Sequence, residues 1–165
     1  MRRFSANELQ KVTDNYNHEN LVMGFRHPEI VTNEISVAAQ LSGHENTLKL
    51  LGCCLETQIP SLVFEFPVNG NLKHRSTFNP TSLSWKSRLK VANEITSVIT
   101  YLSILRFPGQ SCIHSDIHPR NFYLDQDLRA KLSGFIFSMS IPEGKTQVEN
   151  EGVCETKGYL APEVF

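Results

Sequence analysis

The chain has 165 residues, of which 40% are hydrophobic, and its formal net charge is −1. This length and composition suit one globular domain with a buried core. The near-zero charge gives no electrostatic drive toward nucleic acid, and because no apolar run approaches about 18 residues, no membrane-spanning segment is expected. We therefore expect a cytosolic protein.

Two helices are predicted in the first part of the chain. Ser5 and Glu8 have the spacing of a capping box, in which each side chain accepts a hydrogen bond from the other residue's backbone N–H. A short helix should therefore follow and end near Asn15. A second helix is predicted over residues 28–42, because Pro28 suits a first helical turn and apolar residues recur along one side.

Strands and one long helix are predicted next. Two short apolar runs, over residues 48–55 and 61–66, favour strands rather than helices. From Ser84 to about residue 105, apolar residues recur at intervals of three and four, which is the pattern of an amphipathic helix. Short strands are expected at residues 122–124 and 130–132. Residues 138–158 are polar and are expected to be irregular.

The most informative motif follows the long helix. His114, Asp116 and Asn121 have the spacing of the protein-kinase catalytic-loop pattern H-R-D-x-x-x-x-N. In that pattern the Asp accepts the proton of the substrate hydroxyl and the Asn holds a metal ion. A D-F-G motif should follow a strand, but the chain has Gly134-Phe135 there. Because glycine has no carboxylate, this position cannot hold the magnesium ion that bridges the nucleotide phosphates.

Four further segments resemble plant receptor-like kinases, and wall-associated kinases in particular. Residues 4–16 are similar to the lead-in before such kinase domains, and residues 50–56 are similar to their fourth strand. Residues 62–66 resemble the gatekeeper strand and hinge, and residues 158–163 resemble the end of the activation segment. The positions that this resemblance marks are Phe64 in the gatekeeper strand, Glu65 and Phe66 in the nucleotide-binding hinge, and Ala161, Pro162 and Glu163 in the activation segment.

Departures from the kinase pattern point to lost activity. Glu34 resembles the helix glutamate that pairs with a lysine of the preceding strand. Yet the stretch from Tyr16 to Glu34 contains neither a lysine nor a glycine-rich phosphate loop, so roughly thirty residues of hairpin are missing on the usual strand lengths. In the catalytic loop, Ser115 replaces an arginine, and His118 replaces the lysine that steadies the transferred phosphoryl group.

The catalytic loop, together with glycine in the D-F-G position, is similar to that of the ZED-related pseudokinases of plants. Members of that family are adaptors that bind an NLR-type immune receptor and dock a second kinase or a pathogen effector. The resemblance implies the same role here, with an NLR-type receptor and a receptor-like cytoplasmic kinase or effector as partners and no ATP or magnesium as cofactor. It also implies a cytoplasmic protein that reaches the inner face of the plasma membrane through a partner, and structural roles for His114 and Phe135, which would stack on each other.

The implied fold is an α+β protein-kinase-like domain over residues 1–165 that is incomplete in both lobes. Residues 1–66 would form a reduced N-lobe with a two-stranded sheet and one helix. Residues 67–165 would form the hinge, the catalytic-loop region and the activation segment, ending at the A-P-E motif.

Two other functions stay open. A residual ATP-binding Ser/Thr kinase of the receptor-like family would use Asp116 as base and Asn121 as metal ligand. A metal-binding protein would use His114, Asp116 and His118, because alternate residues of an extended strand face the same way and zinc accepts such ligands.

Overall fold

A computed structural model describes residues 1–14, 28–58, 60–76, 83–104, 111–142, 144–145, 156 and 158–159. Helices and strands are mixed along the chain, as expected for an α+β fold. In chain order the elements are β1 (Arg2–Arg3), α1 (Ala6–Val12), α2 (Pro28–Leu41), β2 (Leu50–Cys54), β3 (Ser61–Phe64), α3 (Leu72–Ser76), α4 (Trp85–Ile104), β4 (Ser111–Ile113), β5 (Phe122–Leu124), β6 (Ala130–Leu132), a 3-10 turn (Phe135–Phe137) and β7 (Met139–Ile141). Among these described helices, none is both long and apolar enough to cross a membrane.

The predicted capping box at the start of α1 is confirmed. The Ser5 hydroxyl accepts a hydrogen bond from the Glu8 N–H at 3.2 Å, and the Glu8 carboxylate accepts one from the Ser5 N–H at 2.8 Å. The helix ends at Val12, where the Thr13 N–H bonds the Leu9 carbonyl and caps the last turn. The predicted end at Asn15 lies outside the described residues.

The first sheet has three strands, so the prediction of a two-stranded sheet is wrong. Strand β2 pairs antiparallel with β3, as expected, and its other edge pairs in parallel with β1. A two-residue strand has no periodicity that a sequence pattern could reveal. Pairing depends on Gly52, because a Cβ there would overlap the Arg2 carbonyl oxygen and would lie 2.5 Å from the Phe4 ring.

Strand β7 corrects a second prediction, that residues 138–158 would be irregular. Residues 139–141 pair antiparallel with β4, and the pairing places Cys112 opposite Ser140. The partner strand lies almost thirty residues upstream, so the pairing follows from tertiary structure rather than from local pattern. The predicted strands β5 and β6 pair with each other as a hairpin.

One apolar core joins the two halves of the chain. It contains residues of α2, β2, α4, β4, β5 and β6 and the start of the 3-10 turn: Val37, Ala38, Leu41, Leu50, Val98, Leu102, Cys112, Phe122, Leu132 and Phe135. The segment after α2 is fixed to β6 by backbone hydrogen bonds, from Leu48 N–H to the Leu132 carbonyl and from Leu132 N–H to the Asn46 carbonyl, both 2.8 Å. The catalytic-loop region is therefore held against α2 by packing and by backbone pairing.

Gly52→Ala is expected to release the β1 strand. The new methyl group would overlap the Arg2 carbonyl and the Phe4 ring, which also breaks the hydrogen bond from Phe4 N–H to the Cys53 carbonyl. Overpacking of this kind costs about 1–3 kcal/mol. Hydrogen exchange at residues 2–4 and thermal melting measure the effect. Gly43→Ala is the control, because a Cβ there meets nothing within 4 Å. Equal behaviour of the two variants would contradict the close approach.

Candidate functional site

His114 is buried in the centre of the catalytic loop. Its Nε2 donates to the Ser133 carbonyl at 3.0 Å, and its Nδ1 accepts the Asp116 N–H at 3.2 Å. Burial lowers its pKa to about 4, so the ring carries no charge near neutral pH. The ring lies against Phe135 with the two centroids 5.1 Å apart. The two ring planes are inclined at 58°, so the rings are in tilted contact rather than stacked in parallel.

Asp116, at the position of the catalytic base, is enclosed by donors of this chain. Its side chain is only 8% exposed. One oxygen accepts hydrogen bonds from His118 Nε2 at 3.2 Å and Asn121 Nδ2 at 3.1 Å, and the other accepts the Thr156 N–H at 3.2 Å. These donors stabilise the carboxylate but occupy the oxygens that a base would turn toward a substrate hydroxyl.

His118 has a defined proton position. Its Nδ1 accepts the Arg120 N–H at 3.1 Å, so the ring proton is on Nε2, which faces Asp116. The ring is buried and packs against Tyr159 at a centroid distance of 5.3 Å. A lysine that reaches toward a phosphoryl group has no counterpart here.

Asn121 and Gly134, the two positions expected to bear on metal ions, lie in direct contact. The Asn121 amide donates to the Asp116 backbone carbonyl at 2.9 Å as well as to its carboxylate. Gly134 has a left-handed backbone with φ 81°, and a Cβ there would lie 2.8 Å from Asn121 Cγ and Oδ1. The Asn121 amide therefore occupies the space into which a side chain at position 134 would grow.

Glu34 is fully buried on the inner side of α2. Within the described part of the chain, neither of its carboxylate oxygens has a hydrogen-bond partner. Burial raises its pKa to about 7, and nearby backbone N–H groups of residues 134–136 offset part of that rise. The kinase pattern pairs such a glutamate with a lysine of the preceding strand, but no lysine stands between Tyr16 and Glu34.

The hinge residues lie between the first sheet and the β5–β6 hairpin. The Glu65 carboxylate accepts the Lys49 N–H at 3.1 Å and forms an ion pair with Lys131 Nζ at 3.4 Å. Phe64 is half-buried and packs on the apolar core, whereas Phe66 is 70% exposed. Glu65 therefore connects the two sides of the hinge.

The alternative metal site is wrong. Both ring nitrogens of His114 are occupied by backbone groups, and Asp116 and His118 bond each other. Across the residues that the structure describes, no group of three or more His, Cys, Asp or Glu side chains could hold a metal ion.

Three predicted positions lie outside the described part of the chain, and two residues that contribute to the site were not predicted. Ala161, Pro162 and Glu163 lie outside the described residues. Thr156 was missed because it bonds Asp116 through its backbone N–H, which any residue except proline provides. Asn33 was missed although it stands beside Glu34, and its side chain bonds three backbone carbonyls.

Glu34→Gln should remove a pH dependence of stability. Glu34 keeps its proton up to about pH 7 in the folded state but releases it near pH 4.5 in the unfolded state. The stability that this proton contributes is therefore fully present below pH 4.5 and is lost as the pH rises to about 7. The loss in the free energy of unfolding is roughly 3 kcal/mol. Urea unfolding at about pH 5 and about pH 8 should show similar stability of both proteins at the lower pH and a more stable variant at the higher.

Glu45→Gln is the control for that measurement, because it removes the same charge from an exposed side chain. If Glu34→Gln kept the pH slope of the unmodified chain, the buried carboxyl of Glu34 would not be its source.

Comparison with known proteins places the site in a family context. The model of the protein tyrosine and serine/threonine kinase family matches residues 15–165. The non-functional pseudokinase ZED1 of Arabidopsis thaliana is 35% identical over 191 positions, which cover 100% of this chain and 56% of the relative. Serine/threonine-protein kinase ZRK1 is 42% identical over 87% of this chain and 42% of its own length, and wall-associated receptor kinase 1 is 44% identical over 81% and 18%; both are from the same plant.

These alignments also bear on the missing segment. The chain spans about half or less of the relatives it matches. The alignment with ZED1 has 191 positions, 26 more than the chain has residues, so that relative contains internal sequence that this chain lacks. ZED-related and wall-associated kinases are among the relatives of this chain, which confirms the predicted ZED-related resemblance. Because the kinase family model matches nearly the whole chain, the chain belongs to the protein tyrosine and serine/threonine kinase family.

Proposed function

We propose that this chain is a catalytically inactive pseudokinase that acts as a binding adaptor. The observation that carries the proposal is the closed contact between Asp116, Asn121 and Gly134. The Asn121 amide bonds the Asp116 carboxylate and fills the space beside Gly134, so the positions of base and metal ligand are engaged with each other. Relatives named as non-functional pseudokinases, ZED1 and ZRK2, support it.

The energetics of phosphoryl transfer also support inactivity. That reaction depends almost entirely on positioning and on charge stabilisation. Loss of one preorganised electrostatic contact commonly lowers the rate by about 10²–10³. This chain lacks the phosphate loop, the lysine and the metal-binding aspartate in its sequence, although such losses do not simply add.

A binding role fits the apolar surface of the described part. Trp85 and Leu89 lie four residues apart on α4 and are 74% and 54% exposed. Near the catalytic loop, a groove of about 280 Å³ is lined by apolar side chains that include Ile99, Ile117 and Tyr159. Exposed apolar surface of this kind marks interaction sites in soluble proteins.

The partners in this proposal are those implied by the ZED-related resemblance. They are an NLR-type immune receptor and either a receptor-like cytoplasmic kinase or a pathogen effector, met in the cytoplasm or at the inner face of the plasma membrane. No nucleotide or magnesium ion is needed for such binding. Binding of the purified chain to a purified NLR-type receptor, measured by interferometry without nucleotide, tests this role. Binding that required ATP and magnesium would contradict it.

A residual kinase is the second candidate, because several relatives are named serine/threonine-protein kinases. Asp116 and Asn121 are both present at the required spacing. This candidate differs from the adaptor in one measurable respect, which is the binding of a nucleotide with its metal ion.

The purified chain is expected to show no thermal shift with about 1 mM ATP and magnesium or manganese. At that concentration, nucleotide bound with a dissociation constant of about 10 µM would stabilise the fold by about 2.7 kcal/mol, which a melting curve detects readily. Asn121→Ala is the matched variant. A metal-dependent shift in the unmodified chain that this variant loses would contradict the proposal and favour the residual kinase.

Gly134→Ala should destabilise the chain more than Gly70→Ala does. Both glycines have left-handed backbones, with φ 81° and 65°, so both substitutions carry backbone strain of about 1–3 kcal/mol. Only the Cβ at position 134 meets the Asn121 side chain, whereas that at position 70 meets nothing within 4 Å. Chemical denaturation of the two variants gives the difference. Equal losses of stability would mean that Asn121 does not fill this space.

A further inference from the structure

Asn33 connects α2 to the segment that follows Gly134. Its side-chain Nδ2 donates toward three backbone carbonyls, those of Phe135 at 3.1 Å, Ile136 at 2.9 Å and Ser138 at 2.9 Å. These carbonyls lie more than a hundred residues along the chain from Asn33. One half-buried amide therefore contacts both the 3-10 turn and the residue that precedes β7.

The chemistry of the contact requires an amide. An asparagine NH₂ group has two protons, so three acceptors can be served only if one proton is shared. Carbonyls at the end of a helical turn need donors from outside it. The Phe135 carbonyl also accepts the Ser138 N–H at 3.0 Å, so Asn33 is a second donor to that oxygen. A carboxylate of the same shape has no proton to donate and would repel these oxygens.

Residues 135–138 are also in contact with the catalytic loop. The Ser138 hydroxyl donates to the His114 carbonyl at 3.4 Å, and the Phe135 ring packs on the His114 ring. Ser133, just before Gly134, donates its N–H to the Asn121 carbonyl at 2.9 Å. A displacement of residues 135–138 would therefore reach the two residues that flank Asp116 in the site.

We propose that Asn33 is a positioning residue that clamps α2 to residues 135–138, and so fixes α2 relative to the catalytic loop without a lysine or a bound nucleotide. The inference goes beyond the proposed adaptor function, since it concerns the conformation of the chain whatever it binds. Its consequence is that α2 and residues 135–141 open together rather than separately.

Hydrogen exchange read by mass spectrometry tests the clamp on the whole chain. Asn33→Asp keeps the shape of the side chain and removes the donors. Gln40→Glu is the matched control, because it makes the same change of amide to carboxylate on the same helix, where Gln40 bonds only the Ser36 carbonyl at the surface. We expect exchange at least about tenfold faster in both residues 28–41 and residues 135–141 for Asn33→Asp, a loss worth about 1.4 kcal/mol, and no change for Gln40→Glu.

Three outcomes would overturn the clamp: unchanged protection in Asn33→Asp, faster exchange in only one of the two segments, or the same result for both variants. Protection of both segments in the unmodified chain should also be the same with and without ATP and magnesium. Protection that appears only with nucleotide would equally overturn the proposal.

A measurement on the unmodified chain covers the case in which Asn33→Asp does not fold. The side-chain NH₂ protons of Asn33 should exchange slowly with solvent and show nuclear Overhauser contacts to residues 135–138. Fast exchange of these protons, with no such contacts, would contradict the clamp without any substitution.

Discussion

Burial of Phe135 between α2 and the catalytic loop is the contact on which the rest of this structure depends. The ring is fully buried in the core that includes Leu41 and Leu102, and it supports His114 from one side. Because apolar burial is the main favourable contribution to folding, it holds the segment that carries Phe135 in place. The burial of Phe135 also fixes the positions of the residues near it in sequence, which are Ser133, Gly134 and Ser138.

The polar residues at the kinase active-site positions bond to each other within the chain. In a kinase the aspartate and asparagine of the catalytic loop face a hydroxyl and a metal ion. Here Asp116 accepts from His118, Asn121 and the Thr156 N–H, so its burial is compensated by hydrogen bonds within the chain. Glu34 is the contrasting case: its buried carboxylate lacks a hydrogen-bond partner in the described part, and its raised pKa records the cost.

The names of the relatives record both active and inactive members of this family. Relatives of similar identity include proteins named as non-functional pseudokinases and proteins named as serine/threonine kinases, so family membership alone does not decide activity. In this chain the proposal of inactivity depends on Gly134 and on the missing lysine, whereas the proposal of an adaptor depends on surfaces that do not need either.

Sequence alone determined the family, most of the elements and the composition of the site. The long helix α4 and the helix α2 were predicted within a residue or two, because their periodic apolar faces are local properties of the chain. The spacing of His114, Asp116 and Asn121, and the glycine after Ser133, identified the kinase motif and its defect without any coordinates. Strands β1, β4 and β7 were missed, because each pairs with a strand that lies far away in sequence.

Only the tertiary structure decided how the site residues meet. The direction of the Asn121 amide, the Thr156 N–H on Asp116 and the three carbonyls on Asn33 depend on segments that are distant in the chain and close in space. A motif fixes which groups are present at a spacing. Whether a carboxylate turns outward to a substrate or inward to its neighbours depends on which buried donors the fold brings within about 3 Å of it.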